Sequence, residues 1–145
     1  KGHRSEGRVS IWRCNLAFQE GFGTALLGNR DQKVCVGDYL VRGYDPPEAL
    51  FTVELRDRSV LRNSDHMPLL LPRLLPSPVR FRQVVRIDTG AESLYVWEAI
   101  PPSSRFVALG MVSTVAENPP PPSALACVPR SWCQLTDSLS QLWSD

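Results

Sequence analysis

Proline and glycine punctuate this chain so often that no long helix has room to form. The thirteen prolines and nine glycines are spread along the 145 residues and not gathered in one tail. A proline inside a helix removes a backbone donor and clashes with the preceding turn. Between these breaks lie short runs rich in β-branched and aromatic residues, at 8–12, 33–36, 50–55, 79–86, 93–97, 106–109 and 124–128. Each is bounded by Gly, Pro, Asn or Asp, the pattern of an all-β, many-stranded antiparallel fold. In the run 79–86, Val79, Phe81 and Gln83 alternate with arginine, which predicts that Arg80, Arg82 and Arg86 share the opposite face of one strand.

The chain also repeats itself. Residues 33–47 align without a gap on 106–120, at an offset of about 73, matching Gly37 to Gly110 and Pro46-Pro47 to Pro119-Pro120. The likeness extends outward: Ser10-Ile11-Trp12-Arg13 corresponds to Tyr95-Val96-Trp97-Glu98, and Leu50-Phe51-Thr52-Val53 to Leu125-Ala126-Cys127-Val128. The expected organisation is one β domain over 1–145, with a first copy at about 8–55, an insert at 56–78, a second copy at about 79–130 and a tail at 131–145. The first copy carries extra residues at 17–31, read as a loop insertion. A Trp near a strand's start anchors apolar area, the Gly permits a bulge or close strand approach, and Pro-Pro turns the chain, so Trp12, Trp97, Gly37, Gly110 and the two proline pairs read as scaffold.

Prolines 68, 72, 76 and 78 in the insert predict an extended, partly polyproline-like crossing that packs some leucines and leaves others as a hook for a partner or bilayer. The tail, with Trp132, Leu135, Leu139, Leu142 and Trp143, suits a short helix or a further strand equally.

A net charge of +1 supplies no broad field for nucleic acid, so anion binding must be local. No run of about eighteen apolar residues or secretory leader is visible. The cysteines at 14, 35, 127 and 133 have neither zinc spacing nor the density of a disulfide framework. Reduced, mostly buried thiols and a cytoplasmic setting are expected.

With its copies aligned, the chain resembles the repeat of the bridge-like lipid-transfer proteins of the vacuolar protein sorting thirteen family and of the plant vacuolar protein sorting sixty-two family. The resemblance rests on 81–88 as a leading strand, Leu94-Tyr95-Val96-Trp97, Ile100-Pro101-Pro102, the run 106–110, the prolines 119–122 and Ala126-Cys127-Val128. In the first copy it rests on Ser10-Ile11-Trp12-Arg13, Val36-Gly37-Asp38-Tyr39-Leu40 and Gly43-Tyr44-Asp45-Pro46-Pro47, so that it spans about 120 residues in all. The chain departs from the pattern at Cys14-Asn15-Leu16, in place of a proline-rich link, and at Met111, in place of the Asp that Asp38 supplies in the first copy. The resemblance implies a β-prism-like or β-sandwich domain of a large cytoplasmic protein, peripheral to organelle membranes, that moves phospholipid at membrane contact sites. Its repeats there serve adaptor binding or membrane targeting, beside neighbouring repeats of the parent chain.

Catalytic chemistry finds little support. Ser64-Asp65-His66 has the residue types of a triad, but neighbours on one loop do not converge on an oxyanion site. The glycines between 21 and 28 lack the Lys-Ser/Thr and the strand-to-helix setting of a phosphate loop. Glu48, Glu54, Asp57 and Asp88 lie on different elements, with no spacing that pairs two of them. A non-enzymatic module without a cofactor or metal is expected. Its candidate binding residues are Arg80, Arg82, Arg86 and Arg73, with Arg56, Arg58 and Arg62 near in sequence, facing phospholipid headgroups or an acidic partner. A carbohydrate-binding β-prism lectin and a structural spacer repeat are the alternatives.

Overall fold

The computed structural model describes residues 9–14, 31–49, 51–56, 67–88, 90 and 92–136. It is an antiparallel all-β fold of nine strands among these residues: β1 (Val9–Trp12), β2 (Asp31–Cys35), β3 (Tyr39–Arg42), β4 (Thr52–Arg56), β5 (Arg80–Asp88), β6 (Ser93–Ile100), β7 (Phe106–Val107), β8 (Met111–Thr114) and β9 (Val128–Pro129). They pair as β1–β3, β2–β4, β5–β6–β8 and β7–β9. Helix α1 (Met67–Leu74) precedes β5, and 3-10 turns occupy Pro122–Ala124 and Arg130–Trp132.

The two copies pair in the same register. Trp12 faces Tyr39 and Ile11 faces Leu40 in the first, and their counterparts Trp97 with Val112 and Val96 with Ser113 face each other in the second. Likewise Val34 opposes Val53 where Val107 opposes Val128. Since a slip of one residue would turn every side chain to the other face, this agreement means that matched side chains of the paired strands point to corresponding faces in both copies.

The copies meet at their matched glycines. A Cβ on Gly37 would lie 2.7 Å from Gly110 Cα, and one on Gly110 would lie 2.9 Å from Gly37 Cα, so backbone touches backbone with no room for a side chain. Gly37 has φ +148 as well. The glycines thus serve close approach, while the bulge falls elsewhere, in β5. Two apolar clusters flank this contact. One joins Leu75, Ala126 and Val128 to Val34, Val53 and Val107, drawn from both copies; the other joins Ala99, Val112 and Leu125 to Phe81 and Ala108.

Several expectations need correction. The insert does not cross as polyproline: it contains α1, eight residues long. Pro68 lies in the first turn, where its missing N–H has no helical partner to lose, and the helix is so short that Pro72 forfeits only one bond. β3 and β8 are strands that composition alone did not single out, and each begins immediately after the glycine segment of its copy. Asp31, expected in the loop insertion, opens β2. Trp12 stands at the end of β1, and Trp97 in the second half of β6. The expected strand at 124–128 is reduced to its last residue, Val128, paired together with Pro129. The described part of the tail is a 3-10 turn with Trp132 exposed; Leu139, Leu142 and Trp143 lie outside the described residues.

Candidate binding surfaces

The junction between copies is polar as well as tight. Arg13 donates from Nε to Asp38 Oδ1 and from Nη2 to Oδ2, both at 2.8 Å, and its Nη2 also donates to the Ser113 carbonyl at 2.7 Å. The Ser113 N–H donates to Asp38 Oδ2 at 2.7 Å, and the Asp38 N–H to the Met111 carbonyl at 2.8 Å. The Asp38 side chain is 6% exposed and that of Arg13 is 40%. The hydrogen bond that Arg13 donates to Asp38 raises the pKa of the guanidinium above its ordinary value, against burial, which works the other way. The counterparts of Arg13 and Asp38 in the second copy are Glu98 and Met111, so this charge pair exists in one copy only. Every strong bond that Asp38 makes is internal, which fits a scaffold role.

The indole N–H groups are satisfied too, Trp12 Nε1 by Ser10 Oγ and Trp97 Nε1 by Thr114 Oγ1, each at 2.8 Å. Pro46-Pro47 and Pro119-Pro120 lie beyond the ends of β3 and β8, with Pro47 half-buried and Pro120 buried.

The predicted arginine face is not one face. Gln83 pairs with Trp97 and Val85 with Val96, which leaves Val84 as an extra residue in β5. Such a bulge reverses the side of every residue beyond it. Arg80 and Arg82 stand opposite Ile100 and Glu98, whereas Arg86 stands opposite Tyr95, on the face where β6 buries Tyr95, Trp97 and Ala99.

Arg82 is tied to Glu98 by an ion pair. Arg86 lies with its guanidinium carbon 5.7 Å from the Tyr95 ring centre and donates from Nε to Asp88 Oδ1 at 3.1 Å. Neither Arg80 nor Arg73 makes an ion pair with another described residue. Arg56 is paired with Glu54 at 2.7 Å, and Arg58 and Arg62 lie outside the described residues.

Helix α1 has two unlike sides. Leu71 and Leu75, one turn apart, pack into the cluster shared by both copies, with the Leu75 N–H donating to the Leu71 carbonyl at 2.8 Å. Leu69, Leu70 and Leu74 face outward, Leu69 with 70% of its surface exposed, and Arg73 stands in the last turn. Pro68 and Pro72 argue by composition against this helix. The spacing of Leu71 and Leu75 was the signal that could have found it.

Two shallow hollows open on the surface. One of about 260 Å³ lies between α1 and β2, lined by Leu71, Leu75, Cys35 and Ala126. The other, of about 240 Å³, is lined by Glu98, Ala99, Pro101, Ala108, Leu109, Gly110 and Met111. Among the described residues no group of three or more His, Cys, Asp or Glu is placed to hold a metal ion. Cys14, Cys35 and Cys127 are buried and Cys133 is exposed; burial raises the Cys14 and Cys127 thiols above the ordinary range. Glu54 lies on β4 and Asp88 on β5, in separate sheets. Ser64-Asp65-His66, Asp57 and the glycines between 21 and 28 fall outside the described residues.

No protein-family model matches the chain. No curated protein matches it either. Among solved structures it is similar to GNIP1Aa from Chromobacterium piscinae, with a TM-score of 0.56 and 23% sequence identity, over 80% of this chain and 21% of that one. The chain therefore spans about a fifth of that protein's length, and the likeness is one of fold, an antiparallel all-β arrangement.

Proposed function

We propose that the chain is a non-catalytic β module that docks a larger cytoplasmic protein, similar to the vacuolar protein sorting thirteen family, onto anionic membrane surfaces. The observation that carries this reading is the outer side of α1, where Leu69, Leu70 and Leu74 are exposed beside Arg73. Leucines on a short helix bury in the headgroup boundary, while an arginine stem runs along the apolar surface and keeps its charge at the phosphates. Arg80 joins Arg73 as a cation without a described ion-pair partner, whereas Arg82 and Arg86 are engaged internally. No helix among the described residues is long and apolar enough to cross a membrane.

Flotation of the purified chain with neutral and anionic liposomes tests this. Binding to anionic vesicles alone is expected, weakened about fivefold by Arg73→Gln or by Arg80→Gln, which corresponds to about 1 kcal/mol per cation near the surface. Leu69→Asp with Leu70→Asp should abolish it, and Arg82→Gln should change it least. Binding to neither kind of vesicle would remove the membrane from this reading and leave a protein adaptor as the partner of α1.

A further inference from the structure

Two exposed arginines meet across the end of the β7–β9 ladder. Phe106 opposes Pro129 in that ladder, and one step further the Arg130 N–H donates to the Arg105 carbonyl at 2.8 Å, which brings Arg105 beside Arg130. Directly opposed residues hold their Cβ atoms about 4.5–5.5 Å apart, and like charges so placed repel. Arg13, Arg56, Arg82 and Arg86 each have a carboxylate partner, whereas Arg105 and Arg130 have none among the described residues. The sequence around them supplies none either, since no Asp or Glu stands between Glu98 and Glu117 or between Glu117 and Asp137. The chain nevertheless holds the pair in place. The Phe106 N–H donates to the Ser103 carbonyl at 3.1 Å, closing a turn that follows Pro101-Pro102. Arg130 Nε donates to the Ser104 carbonyl at 3.0 Å, which lays its side chain against that turn. A guanidinium has five N–H donors, so four of those on Arg130 are left to face an acceptor from outside. Ser103 Oγ accepts the Arg105 N–H at 3.4 Å and keeps its own O–H proton to give.

We propose that Arg105, Arg130 and Ser103 form a binding site for a phosphomonoester. Two adjacent cations with unused donors and no acid to relieve them call for an anion of matching charge. A phosphomonoester carries close to two negative charges at neutral pH and three acceptor oxygens, and the guanidinium fork fits such oxygens in pairs. A carboxylate or a phosphodiester brings a single charge and leaves the repulsion half relieved. The net charge of +1 gives the chain no general pull on anions, so the attraction is confined to this ladder end. The phosphate reaches the site either on a soluble molecule or as the headgroup of a lipid. The site does not rest on the membrane reading, because neither α1 nor Arg80 takes part in it.

Titration of the purified chain with glycerol phosphate, followed by NMR of the arginine N–H groups, should move the Arg105 and Arg130 signals saturably. Arg105→Gln and Arg130→Gln should each weaken binding about tenfold, as expected for a bond to a charged group, and Arg73→Gln should leave it unchanged. Lowering the pH from about 7.5 to about 5 should weaken it as well, since the phosphate gives up its second charge near pH 6. The Arg105 side chain makes no bond to another described residue, so Arg105→Gln should keep or raise the melting temperature of the unliganded chain, whereas an arginine needed by the fold would lower it. Flotation separates the two sources. A preference for vesicles containing phosphatidic acid, a phosphomonoester lipid, over vesicles made equally charged with the diester phosphatidylglycerol assigns the lipid, provided that Arg105→Gln removes the preference. Saturable binding of glycerol phosphate without that preference assigns a soluble ligand. Absence of both, or binding that both variants retain, would overturn the proposal.

Discussion

Replacing one hydrogen of Gly110 by a methyl group would place carbon 2.8 Å from the Val36 carbonyl oxygen and 2.9 Å from Gly37 Cα. Both neighbours are backbone and cannot swing aside. Gly110→Ala should therefore lower stability by about 1–3 kcal/mol, the usual cost of overpacking. Gly37→Ala should cost more, since its φ of +148 adds backbone strain of about 1–3 kcal/mol. Chemical denaturation of the two variants checks the order. At Asp88 the effect is one of pH. Hydrogen bonds from Ser93 and from Arg86 hold its carboxyl below the usual carboxylate range. The folded chain then takes up that proton at lower pH than the unfolded chain, so the contribution is complete above the unfolded value of about 4 and is lost as the pH falls through the depressed folded one. Asp88→Asn should flatten the acid limb of a melting-temperature profile between about pH 2 and 5 and leave the neutral region little changed.

At the scale of elements, α1 and β5 show why a residue pattern can mislead. Four prolines in eleven positions argued for an extended crossing. Prolines in a helix of two turns cost little because so few of its N–H groups have helical partners. What holds α1 is its inner side. Leu75, 3% exposed, should lose about 2–5 kcal/mol on change to Ala, whereas Leu69→Ala, on the outer side, should stay within about 0.5 kcal/mol. Thermal melts of the pair give the contrast directly. In β5 the alternation of arginine with apolar residues was legible from 79 to 83, and Phe81 does face Ala99 across the sheet. A single unpaired Val84 then carried Arg86 to the other side. Nothing in the run 83–86 announces the bulge, because two consecutive valines suit a paired strand as well as an interrupted one.

Across the whole molecule the legible part was the duplication. Matched residues, read from Gly, Trp and Pro-Pro alone, stand opposite matched partners in both copies, as Trp12 with Tyr39 and Trp97 with Val112 do. The all-β antiparallel class followed from the same punctuation. What the residues did not reveal is how one copy lies on the other. The bond from the Asp38 N–H to the Met111 carbonyl and the seating of Ala126 on Cys35 join positions far apart in the chain through backbone groups that carry no side-chain signature, and the Asp38 carboxylate accepts from a backbone N–H, that of Ser113, which no residue type announces. The candidate site was hidden for a related reason. Arginines are easy to pick out, but whether one is free depends on partners such as Glu98 and Tyr95, which only the strand register brings beside it.

The seating of Ala126 on Cys35 also has a consequence in time. A ribosome adds roughly 5–20 residues per second, and Cys35 is made well before Ala126, so β2 waits several seconds for its cover. Contacts between such distant positions form slowly even in the finished chain. Throughout that interval the carbonyl of Cys35 and the apolar cluster beside it are open to any closing segment that arrives first, including one from a neighbouring nascent molecule. Crowded synthesis on one message would therefore favour exchange of the 125–127 segment between chains, an entanglement that dilute refolding would avoid.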